Sequence, residues 1–213
     1  MSALEFHELP PEEMTARAAA FLQSMRARRS VRTFRSDPID LDVVRACIET
    51  AVQAPSGAHK QPWTFVLVRD PEVRTKIRAA AEAEERAFYA GRAGERWLRD
   101  LDPFGTGPDK PFLEEAPALV AVFAQRHGVG EEQKHYYVQE SVGIAVGFLL
   151  AALHTAGLVA LTHTPSPMTF LSHILRRPAN ERAYLLIPIG LPGPGCVVPA
   201  IARKRLDEVL VEV

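Results

Sequence analysis

The chain has 213 residues, 47% hydrophobic and 24% charged, enough for one domain with a real core. Its 25 basic and 26 acidic residues leave a formal net charge of −1, which argues against a general nucleic-acid binder or a membrane-surface protein, since either needs a basic excess. Two widely separated cysteines, Cys47 and Cys196, exclude a disulfide framework and a cysteine-rich metal site.

In chain order, Met1–Pro10 lacks a basic start followed by an apolar core, so no secretory signal is expected. Pro11–Arg28 reads as a helix: Pro11 suits the first turn, Glu12 and Glu13 its N-terminal dipole, Arg26 and Arg28 its C-terminal end. Asp40–Ala54 is a second helix, capped by Asp40, with Val44, Ile48, Ala51 and Val52 on one face. Trp63–Val68 (WTFVLV) is a buried strand. Asp70-Pro71-Glu72 opens a long charged helix running to about Gly91 or beyond. Three prolines and two glycines in Asp102–Pro111 forbid regular structure and predict a mobile lid.

Ala118–Phe123 is another buried strand, and Lys134–Ala156 a long apolar helix. The apolar run inside that helix, Ser141–Leu153, is about 13 residues, short of the roughly 20 that a bilayer span needs. Leu158–Thr162 and Tyr184–Ile189 complete four internal strands in an α+β domain. The tail, LDEVLVEV, alternates imperfectly and needs a sheet edge, in this chain or in a partner. Without an address signal, the cytoplasm is expected.

Several chemistries are missing. There is no G-x-G-x-x-G, no P-loop, no H-E-x-x-H and no G-x-S-x-G elbow, and the seven histidines lack ligand spacing, so no metal is expected. Four strings remain as candidates. Arg28-Arg29-Ser30-Val31-Arg32 offers guanidinium forks and a hydroxyl to a phosphate, although alone it is more simply a solvated helix end. Pro55-Ser56-Gly57-Ala58-His59 turns between a helix and a strand and can aim backbone N–H groups at a flat ligand, or be an ordinary connection. Glu85 and Tyr89 share a helix face, with Lys110 in the loop beyond; together they suit a zwitterionic amino acid, although the spacing alone favours a solvated face and an unrelated lysine. Thr162-His163-Thr164-Pro165 ends a strand, where a hydroxyl can reach a crevice.

Taken together and in this order, R-R-S-V-R, A-P-S-G-A-H-x-x-P-W-T-F, the E…Y…W…D…K lid, T-x-T-P and a C-terminal R-K resemble the nitroreductase superfamily, from about residue 24 to the C-terminus. Within it they look most like the branch of flavin-dependent reductive dehalogenases. The resemblance implies a single domain over 1–213 with a mixed central sheet flanked by helices. It implies a domain-swapped homodimer in which residues 196–213 are exchanged and 102–111 form the lid. It implies FMN, whose phosphate Arg28, Arg29, Ser30 and Arg203 would bind, with Arg32 near the pyrimidine edge.

Pro55, Ser56 and Gly57 would lie against the flavin ring, and Thr162, His163 and Thr164 would flank it, the Thr164 hydroxyl bonding to N5. Ala58 would give its N–H to a substrate phenolate, making Thr164 and Ala58 the catalytic pair. Glu85, Tyr89 and Lys110 would clamp the ammonium and carboxylate. The implied reaction converts iodo-, bromo- or chlorotyrosine to tyrosine and halide, with electrons from NAD(P)H directly or through a separate reductase. A general NAD(P)H nitroreductase or quinone reductase on the same fold is the alternative. Two departures stand out: His163 separates the threonines where a small hydroxyl residue is expected, and the Gly/Pro-rich lid looks less helical than the animal pattern.

Overall fold

The computed structural model describes residues 1–128, 130 and 133–213. Four strands make one sheet, in the order β1 (Trp63–Val68), β2 (Ala118–Gln125), β4 (Glu181–Gly190), β3 (Val159–Ala160). All three neighbouring pairs are antiparallel. Among the described residues the expected mixed character is confined to one isolated parallel bridge, Ser30 with Ala160. β2 and β4 are central and apolar on both sides, as a strand covered on both faces requires.

Alternation along β2 builds two cores. Ala118, Val120, Val122 and Ala124 pack with α2 (Leu41–Ala51) and α6 (Val138–Thr155) on one face. Leu119, Ala121 and Phe123 pack on the other with α3 (Pro71–Ala87), α5 (Phe112–Glu115) and α7 (Thr169–Ile174). The remaining helices are α1 (Pro11–Ala27) and α4 (Glu95–Leu101).

Local chemistry sets the element ends. Asp40 caps α2, its carboxylate accepting from the Asp42 N–H at 2.8 Å, and Asp70 caps α3 through the Glu72 N–H in the same way. The charged helix runs to about Gly91, as the sequence predicts, but its last turn widens: α3 stops at Ala87, a π-helical turn covers Phe88–Arg92 with Gly91 breaking it at φ 155°, and α4 begins at Glu95. Buried Arg74 donates to the carbonyls of Leu113 (3.0 and 2.9 Å) and Ala116, satisfying the end of α5 and fixing the segment that carries Lys110 and Phe112.

α6 is longer than the apolar run read from the sequence. By length and composition it could cross a membrane, with mean hydropathy 1.3 over 18 residues, a third of them buried in this chain. Its inner face (Val142, Ala145, Leu149, Leu153) belongs to the core, while Ile144 and Phe148 are 42% and 41% exposed. α1 buries no residue at all. Phe21, Val43 and Phe148 line an open apolar groove of about 590 Å³ between α1, α2 and α6. The tail does not form the expected strand within this chain: Leu206–Glu208 make a 3-10 turn and Val209–Val213 are exposed.

Candidate active site

Two adjoining hollows form beside β3. The first is a cleft of about 170 Å³ lined by Arg28, Arg29, Ser30, Arg32, Phe104 and Arg203 with Pro199 and Ile201. Ser30 bridges Ala160, and the Val31 N–H donates to the Ala160 carbonyl at 3.2 Å, pinning the segment after α1 along the sheet edge. The C-terminal segment closes the cleft. Arg203 donates to the carbonyls of Arg26 (3.0 Å) and Arg28 (2.7 Å), and Arg29 donates to that of Pro199. Four guanidinium groups thus converge, and none pairs with a carboxylate among the described residues. Burial lowers the pKa of Arg28, helped by repulsion from Arg203 and Arg29. Such an arrangement stores unmet positive charge and suits a phosphate dianion.

The second hollow is a cavity of about 470 Å³. Glu85, Tyr89, Thr106, Lys110, Thr162, His163 and Thr164 give it polar groups, and Phe88, Trp97, Leu101, Phe112, Leu161 and Met168 an apolar lining. Arg32 lines both hollows. The lid folds over the cavity. Lys110 Nζ lies 3.1 Å from Glu85 Oε2 and donates to Thr106 Oγ1 (3.2 Å) and the Gly107 carbonyl (2.5 Å). The Tyr89 hydroxyl donates to the Thr106 carbonyl at 3.0 Å, and the Lys110 N–H donates to Glu82 Oε1 at 2.8 Å. Lys110 is 3% exposed, so the residue expected in a mobile loop is among the most buried charges of the chain. Its ion pair with Glu85 occupies the place where a ligand of both charges would fit.

Backbone alternation sorts the Thr-His-Thr string. His163 exchanges two backbone hydrogen bonds of 2.8 Å with Leu186, so Leu161 and His163 turn inward while Thr162 and Thr164 stay exposed. The His163 ring therefore reaches the cavity from the buried side, edge-on to Phe112 with centroids 5.4 Å apart. Its Nε2 is buried with no hydrogen-bond partner among the described residues. Burial, with Lys110 and Arg32 nearby, lowers its pKa to about 3.

The remaining expected residues lie elsewhere. The 55–59 loop leads into β1, on the sheet edge opposite β3, about 14 Å away by three strand spacings. Pro55, Ser56, Gly57 and Ala58 line neither hollow. The loop is tightly built. Ala58 and His59 adopt left-handed conformations (φ 49° and 53°), Ser56 Oγ accepts from the Gln61 N–H at 2.9 Å, and a Cβ on Gly57 would lie 2.8 Å from the Tyr136 carbonyl oxygen. One chain thus brings together the arginines, Ser30, the Thr-His-Thr string, Glu85, Tyr89 and Lys110, but not the 55–58 loop.

Trp97 belongs to the E…Y…W…D…K string and Phe104 and Thr106 to the expected lid, but no role was assigned to them, and Phe88, Phe112 and Met168 were not predicted; of these three only Phe88 had a local signal, three residues after Glu85 on the same helix face.

Comparison with known proteins places this geometry among relatives. The pattern of the nitroreductase family matches residues 25–191. An iodotyrosine deiodinase from Haliscomenobacter hydrossis is 56% identical over 207 residues, covering 96% of this chain and 93% of the relative. The Homo sapiens iodotyrosine deiodinase 1 is 44% identical over 210 residues, covering 96% and 72%. The crystal structure of an oxidised iodotyrosine deiodinase bound to FMN and 3-iodo-L-tyrosine superposes with a TM-score of 0.76 at 31% identity, over 90% of this chain and 97% of that one.

Proposed function

The chain belongs to the nitroreductase family, and we propose that it acts there as an FMN-dependent reductive dehalogenase of halotyrosines. One observation carries the substrate: Glu85, Tyr89 and Lys110 converge in one cavity, and Arg32 connects it to the arginine cleft. The cleft fits the proposed cofactor, because its converging guanidinium groups lack carboxylate partners among the described residues and a phosphate dianion would satisfy them.

In this reading Arg28, Arg29, Ser30 and Arg203 hold the phosphate, and Arg32 stands where negative charge gathers on a reduced flavin. When bound, FMN supplies the two electrons that, with one proton, convert a halotyrosine to tyrosine and halide. Thr162 and Thr164 present hydroxyls on the exposed side of their segment, and His163 supports that segment from beneath.

The Glu85–Lys110 pair opens to admit the zwitterion. Glu85 then takes the ammonium and Lys110 the carboxylate, so each buried charge exchanges one partner for another. The lid around Thr106–Lys110 keeps water out while the substrate is held.

A second copy of the chain completes the site by supplying Pro55, Ser56, Gly57 and the Ala58 N–H, which takes the phenolate. The support is the distance of that loop from both hollows and the uncovered apolar surface of α1, α2 and α6. Of the segment 196–213 expected to exchange, Pro199 and Arg203 sit on their own chain's cleft, so the exchange is proposed for the exposed end, Leu206–Val213, alone. The reductant (NAD(P)H or a separate reductase) and a cytoplasmic location belong to the same proposal. A fluorescence titration of the FMN-loaded protein tests it. 3-Iodotyrosine quenches flavin emission at concentrations where tyrosine does not; equal responses to both would refute it.

A further inference from the structure

Arg32 is the hinge between the two hollows, yet its guanidinium forms no hydrogen bond or ion pair among the described residues. It is nevertheless half-buried, and burial lowers its pKa. What it does have is an aromatic face: the Phe104 ring, with the guanidinium carbon 5.8 Å from the centroid. Phe104 belongs to the lid. It ends the 3-10 turn Asp102–Phe104, which closes on Gly105 in the left-handed conformation (φ 56°), the Gly105 N–H donating to the Asp102 carbonyl at 3.1 Å. That turn fixes the direction in which the ring leaves the backbone.

The lid thus has two anchors. At one end Phe104 covers the cofactor-side arginine; six residues on, Lys110 closes over Glu85. Between them Thr106 receives the Tyr89 hydroxyl through its carbonyl and the Lys110 ammonium through its hydroxyl.

Resting on the function proposed above, we infer that Phe104 is a positioning residue that couples lid closure on the amino-acid ligand to retention of the flavin. A guanidinium without a carboxylate partner is held in place by the ring quadrupole. The ring is already seated on Arg32 while the lid lies over the cavity, so a ligand that holds the lid closed also holds this contact, and with it Arg32 toward the cofactor cleft. Coupling of this kind is reciprocal: the factor by which the ligand tightens FMN equals the factor by which FMN tightens the ligand.

The test measures FMN dissociation by flavin fluorescence, with and without saturating 3-iodotyrosine, for the wild-type chain, Phe104→Leu and Phe104→Tyr. Leucine keeps apolar bulk but removes the ring; tyrosine keeps the ring. The ligand should tighten FMN in the wild type. Phe104→Leu should cut that factor about two- to tenfold, the range for a half-buried cation–π contact, and Phe104→Tyr should restore it. A wild-type coupling factor in Phe104→Leu overturns the inference and leaves the function standing. A wild-type chain that takes up no FMN, or that binds FMN but not 3-iodotyrosine, removes the function reading itself.

Discussion

His163 makes the stability of this protein dependent on pH in a window set by burial. The ring is packed against Phe112 and its backbone is bonded to Leu186, with Lys110 and Arg32 close enough to oppose a third positive charge. Its pKa falls from 6.5 to about 3, whereas in the unfolded chain it stays near the ordinary value. A histidine with a depressed native pKa contributes fully above its unfolded pKa. Its contribution is lost as pH falls below 6.5, because only the unfolded state then takes the proton.

The shift of about 3.5 units corresponds to about 5 kcal/mol when complete; at pH 5 about 1.5 units have been traversed, a loss of about 2 kcal/mol. The comparison that isolates this is His163→Phe, which keeps an aromatic ring beside Phe112 and removes the titration. Urea denaturation at pH 8 and pH 5 should show the wild type losing about 2 kcal/mol more than the variant between the two conditions. At pH 8 the variant should be at least as stable, because the unpartnered Nε2 is gone. Equal losses in both proteins would refute the argument.

Other expectations follow from the lid and the loop. Lys110→Ala leaves Glu85 buried without its cation, so 3-iodotyrosine affinity should fall by about 30-fold or more; an unchanged titration curve would exclude Lys110 from binding. The double variant Glu85→Gln, Lys110→Met removes both charges together; its urea midpoint should stay near that of the wild type while ligand binding is lost. Gly57→Ala forces a methyl group against the Tyr136 carbonyl oxygen and should cost about 1–3 kcal/mol in urea denaturation; a wild-type midpoint would mean the loop yields freely.

The core was legible wherever local pattern and tertiary environment agreed. β1 has the predicted ends because WTFVLV is bounded by Pro62 and by Asp70-Pro71. β2 runs two residues past its predicted end because Ala124 and Gln125 pair with Arg182 and Glu181, which lie 58 and 56 residues away. α6 starts later than predicted because Lys134 pairs with His127 and Tyr137 takes a left-handed conformation before the first turn. α7, only six residues long, is too short for its period to register. The tail carries a strand's pattern but finds no strand partner among the described residues of its own chain.

The site divides in the same way. The i, i+4 spacing put Glu85 and Tyr89 on one face, but the arrival of Lys110 depends on the path of Thr106–Pro111, which the sequence describes only as broken. The sequence groups His163 with its flanking threonines; the strand period brings its ring to the same cavity from the buried side, a distinction invisible until the Leu186 bridge is known. Phe104 meets Arg32 across 72 positions of chain, a contact no local pattern announces.

The most direct measurement of the reaction is halide release by FMN-loaded protein, reduced with dithionite and mixed anaerobically with 3-iodotyrosine. One iodide and one tyrosine should appear for each flavin reoxidised. 3-Iodotyrosine that keeps its iodine while the flavin remains reduced would contradict the account.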